Sequence, residues 1–575
     1  MKNYIKLSIT GIILSLILSL AIGCRGTNDS VESQEGPASV KVILKGEDFS
    51  DTGNIGAQAS SGRNSTGSAA ETEQRQEIAL KNNNDYKIVA TLTPVKSVNT
   101  SQASSKANLI AATETNPLPN GTRYKVVVFD NSGNYLTEQD YVVGQAVADI
   151  TGLDGGSAYT FIVYSIGSST DLPIVTYVDP LNKTLATASV NNVSGDSDLM
   201  YFSKTMTVSG NGTNYLDTVL RHRFSQVTTT IDASPTQIFK ITSITNPIIH
   251  PHFNGASLQL SNGSVTSSGG SQKNVTFPPL NNTAVTVTSD PVLINPMFET
   301  ANQSDMVFTI ENLILQTDDP LSAQITHQFV TSRFRVGRGI KYNLNLSIIP
   351  NDKYLTFRGY PAVKINGVIY MRHNLGANTL NDPDVLSPDL IGNYYQWGRN
   401  MVVANASTGT GAIPGWNNST LPPANAWNIG TLAVPQKNTT NDPCPNGWRV
   451  MSRRDYHVLI NSTNYTIIGN AASTDPSSAA GVSTSKFNSA VKLTFPFAGV
   501  RRGEDGAFAI TIGPGSEITG NYWTSSFDEA TNTSPIFARF YSINDPGAFI
   551  ASISPRMFTA TSMRCVAEYP YTDPL

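Results

Sequence analysis

The sequence predicts a mainly β protein: two β-sandwiches in tandem, followed by a loop-rich α+β region. Three observations carry this. Alternating or wholly apolar runs of about four to eight residues recur between Asn, Gly and Asp turn signals. Helical periodicity is nearly absent before residue 350, which argues against parallel βαβ folds and their cofactor crevices. All five tryptophans, at 397, 416, 427, 448 and 523, fall after that point, so the composition changes there.

Composition bounds the function classes. The chain has 575 residues, of which 39 % are hydrophobic, including 22 Tyr and 22 Phe, enough to bury several cores. Only 14 % are charged, against about a quarter in an ordinary soluble domain. Basic and acidic residues number 39 and 43, for a net charge of −4. With no long run of either sign, neither a nucleic-acid footprint nor a polybasic membrane patch is supported.

Residues 1–23 read as an export signal. Lys2 and Lys6 precede an apolar run from Leu7 to Ile22 that ends at Gly23-Cys24, the n-region, h-region and small-residue boundary of a signal peptide. The run is too short and too broken by serine to be a good transmembrane helix. Cys24 after Leu20-Ala21-Ile22-Gly23 resembles a bacterial lipobox, which implies diacylation of its thiol; the alternative is an ordinary cleaved signal in which Cys24 is incidental. Arg25 in place of Asp resembles lipoproteins sent on to the outer membrane.

Residues 24–75 form a polar tether that carries one alternating strand, Val40–Leu44, followed by a Gly/Ser/Thr/Asn stretch from about 50 to 72 that cannot pack a core. The first sandwich is expected over 76–195. Its strands are Tyr86–Leu92, Tyr124–Phe129, Tyr135–Val143 and Tyr159–Ser165, with a hairpin turn at Asp130–Asn134. In the last strand Tyr159, Phe161 and Val163 share one face while Ile162 and Tyr164 share the other, so both faces are buried. The second sandwich is expected over 196–350, with strands at Asp198–Phe202, Leu216–Ile231, Phe239–Ile244, Ser257–Leu260, Met306–Ile314 and Ile340–Ile349. In the third region, 351–575, Ser452-Arg-Arg-Asp455 starts a short helix with Tyr456, Leu459 and Ile460 on one face.

Short motifs in the first two regions run in one order: Tyr124–Tyr135, Tyr159–Ser165, Leu220–Val227, Phe334–Gly337 and Tyr342–Leu346. Over about 300 residues they resemble the fimbrillins of Bacteroidales type V pili. The resemblance implies a lipoprotein precursor with two transthyretin-like sandwiches. It further implies that an arginine-specific protease removes the N-terminal strand and that the emptied groove takes a strand from another fimbrial subunit. Val40–Leu44 is then the removable piece, and Arg63 and Arg75 are the candidate cleavage residues; the plainer reading of either arginine is a solvated loop residue.

The third region resembles a FISUMP domain, a C-type-lectin-like family, at Met371–Gly376, Gly392–Arg399, Asp442–Val450, Asn521–Ser526 and Ser562–Val566. Tyr370-Met371 and Tyr456 depart from its usual tryptophans. Cys444 and Cys565 lie inside two of these motifs in an exported chain, so a disulfide between them is expected, with two buried free thiols as the alternative. The lectin-like fold raises glycan or host-protein binding. Trp416 and Trp427, in the Gly/Asn/Pro-rich loop from 404 to 436, are the candidate contact residues, whereas Trp397, Trp448 and Trp523 read as core.

No enzyme, cofactor or metal is expected. Both cysteines sit on motifs that read as structural. His250 and His252 lack an evident third ligand and are interrupted by Pro251. Asp318-Asp319 and Asp382 with Asp384 lack calcium-loop spacing. The function expected is therefore a tip or accessory subunit of a cell-surface pilus, because Ile349-Pro350 leads straight into a bulky region and leaves no free C-terminal strand to donate. The alternative is a lipid-anchored surface binding protein outside a pilus.

Overall fold

The computed structural model describes residues 35–49, 72–80, 83–95, 116–281, 284–297, 303–316, 325–331, 333–431, 434–511, 517–527, 535–541, 547–552 and 558–568. Of these described residues 53 % are in strands and 4 % in helix, so the fold is mainly β. Among the described residues no helix is long and apolar enough to cross a membrane. The chain divides into two compact units: residues 1–60, 96–224 and 254–268 form one, and residues 61–95, 225–253 and 269–575 the other.

The first unit is built on a seven-stranded sheet. Its order is Tyr135–Val142, Arg123–Phe129, Ala158–Ser165, Met200–Thr207, Thr213–His222, Pro37–Asp48 and Ile150–Asp154. Apolar runs such as Tyr124–Phe129 follow from burial on both faces of this sheet. Val126, Val128, Phe161 and Val163 fill one core, and Val127, Phe129, Ile162 and Tyr164 fill the other, beside Val190, Val193, Ala256 and Leu258. The hairpin turn forms as expected. Oδ1 of Asp130 accepts from the backbone N–H of Ser132 and Asn134, and Gly133 supplies the positive φ of 82° that the turn requires.

The second unit contains another pair of sheets. One has the order Thr286–Thr288, Ser225–Asp232, Lys341–Pro350, Asn83–Pro94 and Gln74–Leu80. The other is centred on Gln303–Gln316, flanked by Lys240–Thr245 and by the first residues of Ile248–Gln259. Ile88, Ala90, Leu92, Leu344, Leu346, Phe308 and Ile310 lie in the core between them.

Two strand assignments differ from the sequence expectation. Asn83–Pro94 runs antiparallel to Lys341–Pro350 from Tyr342↔Pro94 to Pro350↔Tyr86, so Tyr86–Leu92 belongs to the second unit and not to a 76–195 sandwich. Conversely, Met200–Thr207 and Thr213–His222 lie in the first unit's sheet, not in a 196–350 sandwich, so the expected strand Leu216–Ile231 is two strands, the second being Ser225–Asp232 in the other unit. Alternation fixes which face of a strand is buried but not which sheet receives it, and here the pairing crosses both expected boundaries.

Residues after Pro350 continue within the second unit. Lys353–Phe357, Tyr360–Ile365, Val368–Met371, Cys565–Ala567 and Trp448–Val450 form one sheet. A second is centred on Gly520–Phe527 between Ala560–Ser562 and Pro535–Tyr541. The helix Arg453–Ser462 begins at the expected capping box, with Ser452 and Asp455 each bonded to the other's backbone N–H. Tyr456 and Leu459 are buried beneath it, and Ile460 is half-buried. Lys364 Nζ reaches Asp85 Oδ1 at 2.7 Å and Asn366 Nδ2 donates to the Thr236 carbonyl at 2.8 Å, which fixes this region to the strands before it.

Candidate functional site

The N-terminal strand is where the sequence-derived function converges. Val40–Leu44 is the middle of a longer strand, Pro37–Asp48. It is paired on both sides, parallel to Thr213–Arg221 and antiparallel to Ile150–Asp154. Ala38, Val40 and Val42 point into the core at 4 %, 0 % and 2 % exposure, as period-2 alternation requires. Burying each valine side chain contributes roughly 1.5–3 kcal/mol. A bulge between Leu44 and Gly46 then shifts the register, with Gly46 at a φ of 138°.

Beyond the bulge the strand meets a buried histidine. Backbone bonds between Glu47 and Asn116 hold the exit: Glu47 N–H donates at 2.7 Å and Asn116 N–H returns at 3.1 Å. His222, 2 % exposed, places Nδ1 2.5 Å from Asp198 Oδ1. Its Nε2 lies 3.6 Å from Glu47 Oε2 and has no hydrogen-bond partner. Phe49 stacks on the imidazole, with ring centroids 3.3 Å apart and planes 15° from parallel.

Glu47, Asp198 and His222 offer ligand atoms within 4.8 Å of one another, which raises a metal ion. The ring, however, turns one nitrogen to each carboxylate. The contacts present are one carboxylate to each ring nitrogen, at 2.5 Å to Asp198 and 3.6 Å to Glu47. The arrangement reads instead as a polar latch, with Asp198 orienting the ring and Glu47 brought to its far side.

The sequence-derived site residues separate in space. Cys24 and Arg63 lie outside the described residues. Arg75 is not in a loop: it sits in the edge strand Gln74–Leu80, opposite Thr91, with its guanidinium 2.8 Å from Glu77. Cys444 and Cys565 are joined in a disulfide with Cα atoms 6.0 Å apart. Trp427 is a correction. It is 0 % exposed, donates Nε1 to the Asn441 carbonyl at 3.0 Å and packs on Trp397, so it is a core residue and not a contact platform. A Gly/Pro-rich loop can fold a large apolar side chain inward, and here it does so with Trp427.

Trp416 is half-buried. It donates Nε1 to Gly503 at 2.9 Å and lies so close to Gly506 that a Cβ there would collide with its ring. Ile391 and Tyr394, from the apolar cluster against which Trp416 packs, line a cleft of about 350 Å³. Ile391, Tyr394 and Arg501 form its buried part, and Asn405, Thr410 and Thr474 are exposed on its lining. Arg501 donates Nη1 to Gly409 O at 2.5 Å and Nη2 to Thr408 O at 2.7 Å. Trp397, Trp448 and Trp523 are buried, as the motifs suggest.

Among the described residues His250 and His252 join no group of three or more metal-ligating side chains. His250 lies in the strand Ile248–Gln259 opposite Val307, while Nδ1 of buried His252 accepts from the Asn295 N–H at 3.2 Å. The functional residues that sequence reasoning missed are Glu47, Phe49 and His222. Their nearest signal was His222 inside Leu220–Val227, but nothing local ties it to residue 47.

No protein-family model and no curated protein matches the chain. Among solved structures it is similar to the fimbrial anchor protein Mfa2 from Porphyromonas gingivalis, at 12 % identity, covering 44 % of this chain and 94 % of that one with a TM-score of 0.25. It is also similar to a candidate cell adhesion protein of Bacteroides fragilis, at 10 % identity, 57 % and 96 % coverage and a TM-score of 0.28. A candidate adhesin of Bacteroides thetaiotaomicron gives 9 % identity, 36 % and 72 % coverage and 0.24. At these values the likeness assigns no function.

Proposed function

We propose that the protein is a tip or accessory subunit of a cell-surface fimbrium, joined to a neighbouring subunit by strand exchange and carrying a C-terminal region for adhesion or capping. The observation that carries this reading is the place of Pro37–Asp48: a strand near the chain's beginning, followed by a Gly/Ser-rich stretch with Arg63, is hydrogen-bonded on both sides within a sheet. Its removal would bare two strand edges and the pockets of Ala38, Val40 and Val42, which is the requirement for β-augmentation by a donor strand. Donation in the other direction is disfavoured. Lys341–Pro350 is paired with Ser225–Asp232 on one side and Asn83–Pro94 on the other, and Lys353 begins the next strand almost at once.

Arg63 is the preferred cleavage residue, since cutting beside Arg75 would require peeling an edge strand from its partner. Export as an outer-membrane lipoprotein through Cys24 completes the reading. A glycan or host protein would meet the C-terminal region at the Arg501 cleft and Trp416. N-terminal sequencing of the surface-assembled protein tests the processing step: a start at residue 64 is expected, and a start at Cys24 overturns it. Immunogold labelling with an antibody to residues 352–575 should mark fimbrial ends, and uniform labelling of shafts would refute the tip position. The second reading, a lipid-anchored surface protein that keeps its strand, draws on the contacts of Glu47 and Phe49 with His222.

A further inference from the structure

We infer that the strand which replaces Pro37–Asp48 is selected by its exit end, and that it carries glycine, a carboxylate and, two residues beyond the carboxylate, an aromatic ring. The inference rests on the strand-exchange reading and names the chemistry of the partner.

The body of the groove selects weakly. The edges of Ile150–Asp154 and Thr213–Arg221 offer backbone groups that any strand satisfies, and the pockets of Ala38, Val40 and Val42 accept small or β-branched side chains in alternation. The exit differs in three respects. The bulge places Gly46 at a φ of 138°, a conformation that side-chain-bearing residues rarely adopt. Next, His222 is buried with Nδ1 committed to Asp198, while Nε2 makes no hydrogen bond and faces Glu47 Oε2 at 3.6 Å. Finally, Phe49 covers the imidazole face.

An incoming strand that runs in the same direction and register would place its residue opposite Leu220 where Glu47 stands. With an apolar residue there, the carboxylate that faces Nε2 at 3.6 Å would be lost. Without an aromatic ring two residues on, the face of the imidazole would be uncovered. When both ring nitrogens carry protons, the imidazolium lies between Asp198 and the carboxylate at this position, an attraction that an apolar residue cannot supply. The partner strand is therefore expected to read as alternating small apolar residues followed by Gly-acid-x-aromatic.

The test uses the full chain nicked after Arg63 and fluorescent peptides of residues 35–49. The parent peptide should exchange into the nicked protein. Peptides with Glu47→Leu or Phe49→Ala should each bind at least about tenfold more weakly. In a His222→Gln protein the penalty of Glu47→Leu should shrink, as a double-mutant cycle requires of coupled groups. Should that variant not fold, the two peptide substitutions on the native chain still decide. Equal binding by all three peptides overturns the exit-end selection and leaves strand exchange standing. Failure of every peptide to exchange overturns both.

Discussion

Arg449 and Asp455 form a bidentate ion pair inside the C-terminal region, with Nη1 2.6 Å from Oδ2 and Nη2 3.0 Å from Oδ1. Both side chains are almost fully buried, at 5 % and 6 % exposure. Burial pushes the Asp455 carboxyl up, but the Arg449 charge and the Ser452 hydrogen bonds outweigh it and hold it below the ordinary carboxylate value. Such a group adds stability above its unfolded pKa, and the contribution is lost as pH falls through the lower folded value. Asp455→Ala is predicted to cost about 3–5 kcal/mol, because a buried guanidinium loses its partner and the helix its capping box. Denaturant midpoints of the variant and the native chain at neutral pH check this; a loss under about 1 kcal/mol would contradict it.

Asp442 has the opposite sign. Burial raises its carboxyl to about 6, even though Oδ1 accepts from Cys444 N–H and Oδ2 from Val450 N–H. A carboxyl raised on folding supports the fold fully below its unfolded pKa, and that support is lost as pH rises towards the folded value. Between about pH 4 and pH 6 the loss amounts to about 2 kcal/mol. Asp442→Asn is predicted to remove this slope while lowering stability at pH 4, since the amide cannot accept both backbone bonds. Unfolding curves across that range, compared between the two proteins, would show the slope either gone or unchanged.

The Cys444–Cys565 bridge spans 121 residues of sequence. In the chain-entropy account, closing a loop of that length is worth about 4–5 kcal/mol. Replacing both cysteines with serine should lower the stability of the C-terminal region by about 2–5 kcal/mol. The first unit's melting should be unaffected, because the bridge lies wholly in the other unit. Hydrogen exchange followed separately over strands of each unit would register this difference.

Trp427 and Trp416 should part company on truncation. Trp427→Ala empties a fully buried site beside Trp397 and is expected to cost about 3–5 kcal/mol. Trp416→Ala removes a half-buried ring and one hydrogen bond to Gly503, so its cost should be clearly smaller. Thermal unfolding of the two variants side by side settles the order, and equal destabilisation would place Trp416 in the core as well.

What could be read from the chain follows from what is local. Alternation in Tyr159–Ser165 required burial on both faces, and the residues do divide between two cores. Ser452 and Asp455 encode a helix start within four positions, and the capping box forms. His222 was not legible as a latch, because its partners Glu47, Phe49 and Asp198 come from separate segments and their meeting depends on the register of Pro37–Asp48 against Thr213–Arg221. Trp427 was misplaced for a related reason: its surroundings in sequence are those of an exposed loop, while its surroundings in space are Trp397 and Asn441.

By itself the sequence determined a mainly β chain, the places of most of its principal strands, the helix start and an expected pairing of two cysteines. These depend on side-chain period, turn chemistry and motif, which neighbours along the chain supply. Only the tertiary structure decided that Asn83–Pro94 joins Lys341–Pro350, that the N-terminal strand lies inside a sheet, and that its exit rests on His222. Strand partnership is a long-range choice made by hydrogen bonding and core filling together, and no local pattern distinguishes one available edge from another.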